Sequence, residues 1–321
     1  MSDRDAVFVE ADARLHFGVL DLRGSRGRWF GGIGASASTP TLLVSATRAE
    51  TVFVEGEDAS RALAYARQFL SVRHVSGGAC IRVQRALPAH AGLGSGTQLA
   101  LAVARALAEL YGADTEASGL ASSVGRARRS AIGTWTFAGG GLVVEGGRRP
   151  EGDGCGPLVA RLALPPDWRC VVAVPGGPPG ISGAEEAEAF ARMQPPQERD
   201  VERVAHLVLM GLLPSVADAD LEGFGRALTE IQEVTGRWFA AAQRGTFAPG
   251  PGRDLIARLR EWGAVGVGQS SWGPSVYGVV SGEDTGRQLA DRARAALGTG
   301  GRVYEGPFGS AGARVWRAAP H

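Results

Sequence analysis

The 321-residue chain is 44% hydrophobic and 21% charged, with a formal charge of +1, a globular composition long enough for a substantial core and two moderate lobes. Thirty-four basic residues are balanced by 33 acidic ones, and no arginine stripe interleaves with aromatics, which points away from nucleic acid and toward a small ligand. The N-terminal segment has no basic stretch followed by an apolar one, and no run reaches ~18 apolar residues, so a cytoplasmic protein without signal peptide or membrane span is expected.

The first stretch reads as a meander: β-prone segments at Ala6 to Glu10 and Ala13 to Leu20, a Gly/Arg-rich loop from Arg23 to Gly34, then Thr41 to Ala46 and Thr51 to Glu55. Ala62, Leu63, Ala66, Phe69 and Leu70 recur at helical spacing and predict an amphipathic helix over Ala59 to Val72. Ile81 and Val83 alternate with Arg82 and Gln84, the mark of a half-buried strand over Cys80 to Arg85. TQLALAVARALAELY, Thr97 to Tyr111, predicts a buried helix closed by Gly112. A further helix over Gly119 to Arg129, the segment Ile132 to Phe137, a strand Leu142 to Glu145 and a Gly/Arg/Pro-rich loop from Gly146 to Gly156 complete the first half.

The second half starts with a short apolar strand, Cys170 to Val174, followed by helical patterns at Arg199 to Leu213, Leu221 to Ala242 and Arg253 to Trp262. Ala264 to Gly268, the polar loop QSSWGPS, a strand Val276 to Val280, a helix Asp284 to Leu297 and a strand near Arg302 to Glu305 finish the chain. This mixed order predicts an α+β fold rather than a doubly wound parallel sheet. Two domains are expected, residues 1–155 and 156–321.

Lysine is absent, so every basic side chain is arginine. That removes a Schiff-base lysine, a Walker-A lysine and any lysine-activated hydroxyl. Cys80, Cys155 and Cys170 share no metal-binding or disulfide spacing and read as small buried hydrophobes. No histidine or carboxylate cluster suggests a zinc or iron site, and no organic cofactor is indicated.

Pro88 to Gln98, PAHAGLGSGTQ, lies between the predicted strand and the buried helix, where free backbone amides and the positive end of the helix dipole attract an anion. Gly92, Gly94 and Gly96 permit close backbone approach, Leu93 belongs to the same candidate substrate-binding run, and Ser95 and Thr97 add hydroxyls. The alternative is an ordinary Gly-rich turn with Ser95 capping the helix. The loop is neither a Walker A loop nor a dinucleotide fingerprint, because GK[ST] is missing and the spacing is GxGxG.

This loop resembles the phosphate-binding motif of the GHMP superfamily. ARLHFGVLDL, Ala13 to Leu22, is similar to that superfamily's N-terminal substrate motif, and GAVGVGQSSWGPSVYG, Gly263 to Gly278, to its C-terminal glycine-rich motif. The resemblance implies a GHMP-kinase-like two-lobed fold, with a ribosomal-protein-like N-terminal lobe, a ferredoxin-like C-terminal lobe and the active site between them. GHMP kinases carry an aspartate that takes the substrate's proton. The matching run here is Ser130-Ala131-Ile132-Gly133, with Gly133 in its place. An ATP-dependent small-molecule kinase is therefore the second reading. The pattern GRARRSAIGTWTFAGGGLVVEGG, together with RLHFGVLDL and GRWFGGIG, resembles the β-ribofuranosylaminobenzene 5'-phosphate synthase family.

That resemblance implies a decarboxylating C-glycosyl transfer toward methanopterin: phosphoribosyl pyrophosphate plus 4-aminobenzoate or 4-hydroxybenzoate gives the ribosyl arene, CO2 and pyrophosphate, with Mg²⁺ accompanying pyrophosphate and the enzyme a homodimer. Gly92 to Thr97 would hold pyrophosphate or the 5'-phosphate. Arg26 and Arg28 are candidates for bidentate anion contacts, Arg28 the better placed before WFGG. Asp21 either balances positive charge or holds Mg²⁺, or simply caps the turn DLRG. His16 and His90 are candidate acids or phosphate contacts. Arg128 and Arg129 precede Ser130 where a kinase would bind substrate, and one of the pair is expected to hold the benzoate. Trp29, Trp135 and Phe137 are either pocket walls or core. Gln269, Ser270 and Ser271 complete the cleft if the third motif follows the resemblance.

Overall fold

The computed structural model describes residues 6–152, 154–178, 180–181 and 183–317. The first five residues, part of the segment read for a leader, lie outside them. β1 (Val7–Asp21) and β2 (Phe30–Ala49) form one long antiparallel hairpin. The expected loop shrinks accordingly, because Phe30 to Gly34 belongs to β2. Its glycines mark close packing rather than a turn: a Cβ on Gly34 would lie 2.3 Å from the Leu15 carbonyl oxygen and 2.5 Å from Ile132. Register shifts interrupt the hairpin at Asp12/Ala13 and at His16/Gly18. The second leaves Phe17 without a ladder partner beside the future site.

β3 (Phe53–Gly56), α1 (Ala59–Val72), β4 (Gly78–Arg85), α2 (Ser95–Tyr111), α3 (Ala117–Ser123), α4 (Ile132–Gly139), β5 (Leu142–Glu145) and β6 (Leu158–Leu162) follow. At 20 residues, β2 is long enough to take two neighbours along one edge: its C-terminal half pairs with β4 and its N-terminal half with β5. α1 has the bounds its periodicity predicts and buries Ala62, Ala66, Phe69 and Leu70. α2 is buried nearly all round, as its Ala/Leu sequence requires, and closes on Gly112 at φ 67°.

The second lobe runs β7 (Trp168–Val174), α5 (Gly183–Arg192), α6 (Glu198–His206), a π-helical stretch Leu207–Leu212, α7 (Leu213–Ala217), α8 (Leu221–Trp238), α9 (Ala240–Gln243), α10 (Pro251–Glu261), β8 (Gly266–Gln269), β9 (Val276–Ser281), α11 (Glu283–Leu297) and β10 (Arg302–Pro307). Its four strands lie in the order β10-β7-β9-β8, all antiparallel. One face, with Val171, Ala173, Val276 and Val280, packs on α10 and α11. The other face, with Cys170, Val172, Tyr277 and Val279, joins the main core through α8, which also touches β1. Fully burying each large side chain there stabilises the fold by about 1.5–3 kcal/mol.

Strands on both sides of residue 155 belong to the first sheet. β6 extends the first sheet, and β11 (Arg314–Arg317) returns from the C-terminal end to pair with β1. α3 ends at Ser123, well short of the expected Arg129. Residues Arg126 to Ser130 are irregular, with Ala127 at φ 63°. α5, which no sequence pattern predicts, supplies one wall of the site.

Candidate active site

The cradle forms where the chain from β4 enters α2. Gly94, at φ 73°, precedes the helix without any side-chain cap. The amides of Thr97 and Gln98 turn back to the Gly94 carbonyl at 3.0 and 2.9 Å, leaving those of Ser95 and Gly96 as the open donors of the first turn. Ser95 is thus the first helical residue and not its cap. Gly92, at φ 85°, excludes any larger residue, since a Cβ would fall 2.2 Å from the Ser270 carbonyl oxygen. Leu93 is buried, and its carbonyl accepts the Arg14 amide at 3.0 Å. Thr97 packs on Gly133, where a Cβ would lie 2.9 Å from the threonine methyl. The kinase acid therefore has neither a side chain nor open space at that position.

Three guanidinium groups meet this turn. A Cβ on Gly96 would lie 3.3 Å from Arg126 Nη2 and 3.5 Å from Arg61 Nη1, and one on Gly94 would lie 3.2 Å from Arg14 Nε. Arg61 is paired with Asp58. Arg126 sits over the Tyr65 ring, 4.9 Å from its centroid, and meets the tyrosine hydroxyl. The Nε atoms of Arg14 and Arg126 are buried without a partner. Desolvation lowers the pKa of both, that of Arg14 to about 10, with Arg61 adding to the effect at Arg126; both stay cationic at neutral pH. Buried donors and charge without a counterpart are costly, and an anion on the open amides removes that cost. None of these three arginines was singled out by the sequence, because positions 14, 61 and 126 share no local pattern.

Beside the cradle a cleft opens between the lobes. Arg14, His16, Arg129, Ser130, Gln269 and Ser271 line it. Its apolar wall is a set of perpendicular aromatic pairs: Phe190 lies 5.7 Å from Phe30, 5.8 Å from Phe239 and 5.6 Å from Trp272, with Phe239 and Trp272 4.9 Å apart. These are centroid distances typical of edge-to-face contacts. Arg129 stacks over Phe190 at 5.3 Å and pairs with Glu186 Oε2 at 2.9 Å, while the Trp272 indole donates to Glu186 Oε1 at 3.1 Å. Trp29, Trp135 and Phe137 do not form this wall. The Trp135 indole donates to the Gly156 carbonyl at 2.7 Å, Phe137 is core, and Trp29, 38% exposed, packs on Gly24.

Ser270 fastens the lobes together. Its hydroxyl donates to the Gly92 carbonyl at 2.7 Å and accepts the His16 amide at 3.0 Å. Gln269 spends its amide on Ala248 N, Gln243 Oε1 and the Ser271 carbonyl. Gln232 on α8 donates to the Phe17 carbonyl, the group the bulge leaves free, and accepts the Gln269 amide at 2.9 Å. His16 Nε2 lies 3.2 Å from Ser130 Oγ. Desolvation, reinforced by Arg14, lowers the His16 pKa to about 3, which favours the neutral ring.

Asp21, Arg26, Arg28, His90 and Arg128 are not among the residues that line the cleft. Asp21 pairs in register with Phe30 at the mouth; its Oδ1 accepts the amides of Arg23 and Gly24 at 2.6 and 3.1 Å. The turn-capping alternative thus accounts for one of its oxygens. Arg28 donates from Nη1 to the Gly147 carbonyl at 2.9 Å. Buried Glu145 holds that turn and the entry to α4 together, accepting Gly147 N at 2.8 Å and Ala131 N at 3.3 Å; desolvation raises its pKa against these amides. Arg26 and Arg128 are exposed, and His90 is exposed at φ 52° with its carbonyl bound by Gly180 N at 2.9 Å. Among the described residues, no group of three or more His, Cys, Asp or Glu could hold a metal. No described helix is long and apolar enough to cross a membrane.

Residues 58–138 match the GHMP kinases N terminal domain, and residues 212–299 the GHMP kinases C terminal domain. The β-ribofuranosylphenol 5'-phosphate synthase of Methanothermobacter thermautotrophicus is 35% identical over 297 residues, covering 85% of this chain and 88% of the relative. That of Archaeoglobus fulgidus is 36% identical over 283 residues, covering 85% and 87%. Among solved structures, homoserine kinase from Cytophaga hutchinsonii superposes with a TM-score of 0.69 at 17% identity, covering 98% of this chain and 99% of that one, a likeness of fold alone. An N-terminal lobe carrying a glycine cradle at a helix start, a ferredoxin-like C-terminal lobe and a cleft between them complete the same pattern, and the chain belongs to the GHMP superfamily and, within it, to the β-ribofuranosylphenol 5'-phosphate synthases.

Proposed function

We propose that the protein catalyses decarboxylating C-glycosyl transfer from phosphoribosyl pyrophosphate to a 4-substituted benzoate, releasing CO2 and pyrophosphate, as a step of methanopterin biosynthesis. The observation that carries this reading is the junction of two unlike surfaces: a cradle with open amides and three arginines adjoins a cleft walled by Phe190, Phe239 and Trp272. One suits a polyanion, the other a flat arene. The relatives are named for a ribofuranosylphenol product, which makes 4-hydroxybenzoate the first acceptor to test and 4-aminobenzoate the second.

In this reading pyrophosphate lies on the amides of Ser95 and Gly96, and the arene enters the aromatic cleft with its carboxylate toward Arg129. The ring carbon bearing the carboxylate attacks the anomeric carbon, pushed by the para donor, and loss of CO2 restores aromaticity. No net proton transfer is needed, which suits a neutral His16. Asp21 balances the oxocarbenium charge in this reading, and Arg28 grips a substrate anion. The described residues offer no carboxylate cluster for Mg²⁺, so Mg²⁺ enters as the counterion of pyrophosphate. The proposal includes a cytoplasmic homodimer, as the resemblance implies, which sedimentation of the purified protein tests.

The deciding experiment incubates purified protein with phosphoribosyl pyrophosphate, Mg²⁺ and either benzoate and measures CO2 and the ribosyl arene. Product with either acid is expected. ADP formation from ATP and a small alcohol, with no CO2 from either benzoate, would replace this reading with the kinase one. Chelation of Mg²⁺ is expected to suppress turnover and weaken pyrophosphate binding together.

A further inference from the structure

Arg14 is where the cradle and the aromatic cleft meet. It lines the cleft, its amide is bound to the Leu93 carbonyl at 3.0 Å, and its Nη1 donates to the Gly92 carbonyl at 3.2 Å. The guanidinium lies against Gly94, whose added Cβ would come within 3.2 Å of Nε and 3.5 Å of Cζ. Nε is buried and unpartnered. Among the described residues no carboxylate lies within ion-pair distance of it, and the nearest acid acting on its charge, Glu186, is already held by Arg129 and Trp272. The geometry therefore presents a fixed cation, with a donor unspent, at the border between the two subsites.

Chemistry places one atom at that border. In the transfer proposed above, the anomeric carbon has the leaving oxygen on one side and the attacking ring carbon on the other. The leaving oxygen must then sit where the cradle reaches the cleft. Resting on that reading of function, we propose that Arg14 is a catalytic residue whose guanidinium contacts the departing pyrophosphate at the bond that breaks. The bond between the anomeric carbon and the pyrophosphate oxygen opens with both electrons going to oxygen, where Arg14 meets the developing negative charge. The ring carbon bearing the carboxylate then bonds to the anomeric carbon. The carbon–carboxylate bond breaks, and its electron pair returns to the ring as CO2 leaves. Arg14 neither gains nor loses a proton. Arg61 and Arg126, beside Gly96 on the far side of the helix entry, take the distal phosphate.

The test compares wild type with Arg14→Met and Arg14→Lys in three measurements: CO2 release, calorimetric titration with inorganic pyrophosphate, and titration with 4-hydroxybenzoate. Arg14→Met is expected to lower kcat by about 100-fold or more and to weaken pyrophosphate binding by about 10- to 100-fold, with 4-hydroxybenzoate binding unchanged. Arg14→Lys restores part of both losses, since it keeps the charge and loses the planar fork. Wild-type kcat and pyrophosphate affinity in Arg14→Met would overturn the proposal. So would lost 4-hydroxybenzoate binding with intact pyrophosphate binding, which would move Arg14 to the acceptor. Should Arg14→Met not fold by circular dichroism, Arg14→Lys decides: a kcat reduced about tenfold or more supports the role, and a wild-type kcat ends it. If wild type itself releases no CO2 with either benzoate, the functional reading falls on its own, while the pyrophosphate titration still decides whether Arg14 binds that anion.

Discussion

Two segments of this chain look alike as sequence, and the fold uses them in opposite ways. Pro88 to Gln98 and Leu22 to Trp29 are both glycine-rich, and the second carries three arginines where the first carries none. Read by composition, the second is the better anion site. In the structure the first acquires Arg14, Arg61 and Arg126 from β1, α1 and the segment after α3, and keeps two helix amides open. The second spends Asp21 Oδ1 on its own turn and an Arg28 donor on Gly147, with Arg26 left exposed. A site is defined by donors without partners, not by the residue types in one stretch. The cradle keeps donors without partners, while the second segment has committed several of its own groups to local bonds.

The largest expected effect tests that organisation. Gly92→Ala forces a methyl onto the Ser270 carbonyl oxygen, 2.2 Å away, at φ 85°. It should cost about 2–4 kcal/mol in unfolding free energy and lower kcat by more than about 100-fold by displacing the cradle. Chemical denaturation and CO2 release measure the two, and wild-type behaviour would show the cradle to be plastic. Next come the mouth variants. Asp21→Ala and Arg28→Ala should each reduce turnover by about 10- to 100-fold while changing unfolding free energy by about 1 kcal/mol or less. Near-normal kcat/KM would remove either residue from the site and leave Asp21 a turn cap.

Smaller effects refine the same contrast. Arg126→Ala should weaken pyrophosphate binding by about tenfold, and Arg26→Ala should leave it unchanged; the reverse order would invert the comparison. For His16 the expected result is a flat profile. Because its folded pKa of about 3 lies below the ordinary value of 6.5, the unfolded chain takes up a proton first as pH falls. The stability associated with neutral His16 is full above about pH 6.5 and declines toward pH 3, by about 2 kcal/mol at pH 5. Replacing His16 with Gln should flatten that decline and leave no imidazole limb in kcat to remove. An acid limb between pH 6 and 7 that vanishes in His16→Gln would return the ring to the role of proton donor.

Local patterns carried a good deal of this protein. The bounds of α1 follow from five apolar residues at helical spacing, and α2 with its Gly112 terminus from an Ala/Leu run that has no solvated face. Apart from α5, most of the second lobe's order of strands and helices was legible for the same reason, since periodicity of 2 or 3.6 is a property of the chain itself. The glycine cradle was legible because a strand, a short Gly-rich loop and a buried helix leave open amides whatever surrounds them. Absence was legible too: the chain has no lysine, and Gly133 falls in the run that resembles the kinases' acid-bearing element.

Failures occurred where meaning depends on distant neighbours. Gly34 looked like loop because the sequence does not show Ile132 and the Leu15 carbonyl pressing on it. Arg128 and Arg129 looked like adjacent helical residues, yet the helix stops at Ser123 and only Arg129 of the pair lines the cleft. α5 brings Glu186 and Phe190 across from the second lobe. The neutrality of His16 arises from burial beside Arg14, two residues along the same strand, which no motif announces. The sequence by itself determined α1, α2, the cradle and the family. Only the tertiary structure decided which arginines the cradle receives and which aromatics face them, because charge, desolvation and packing are set by groups that are close in space and far apart in the chain.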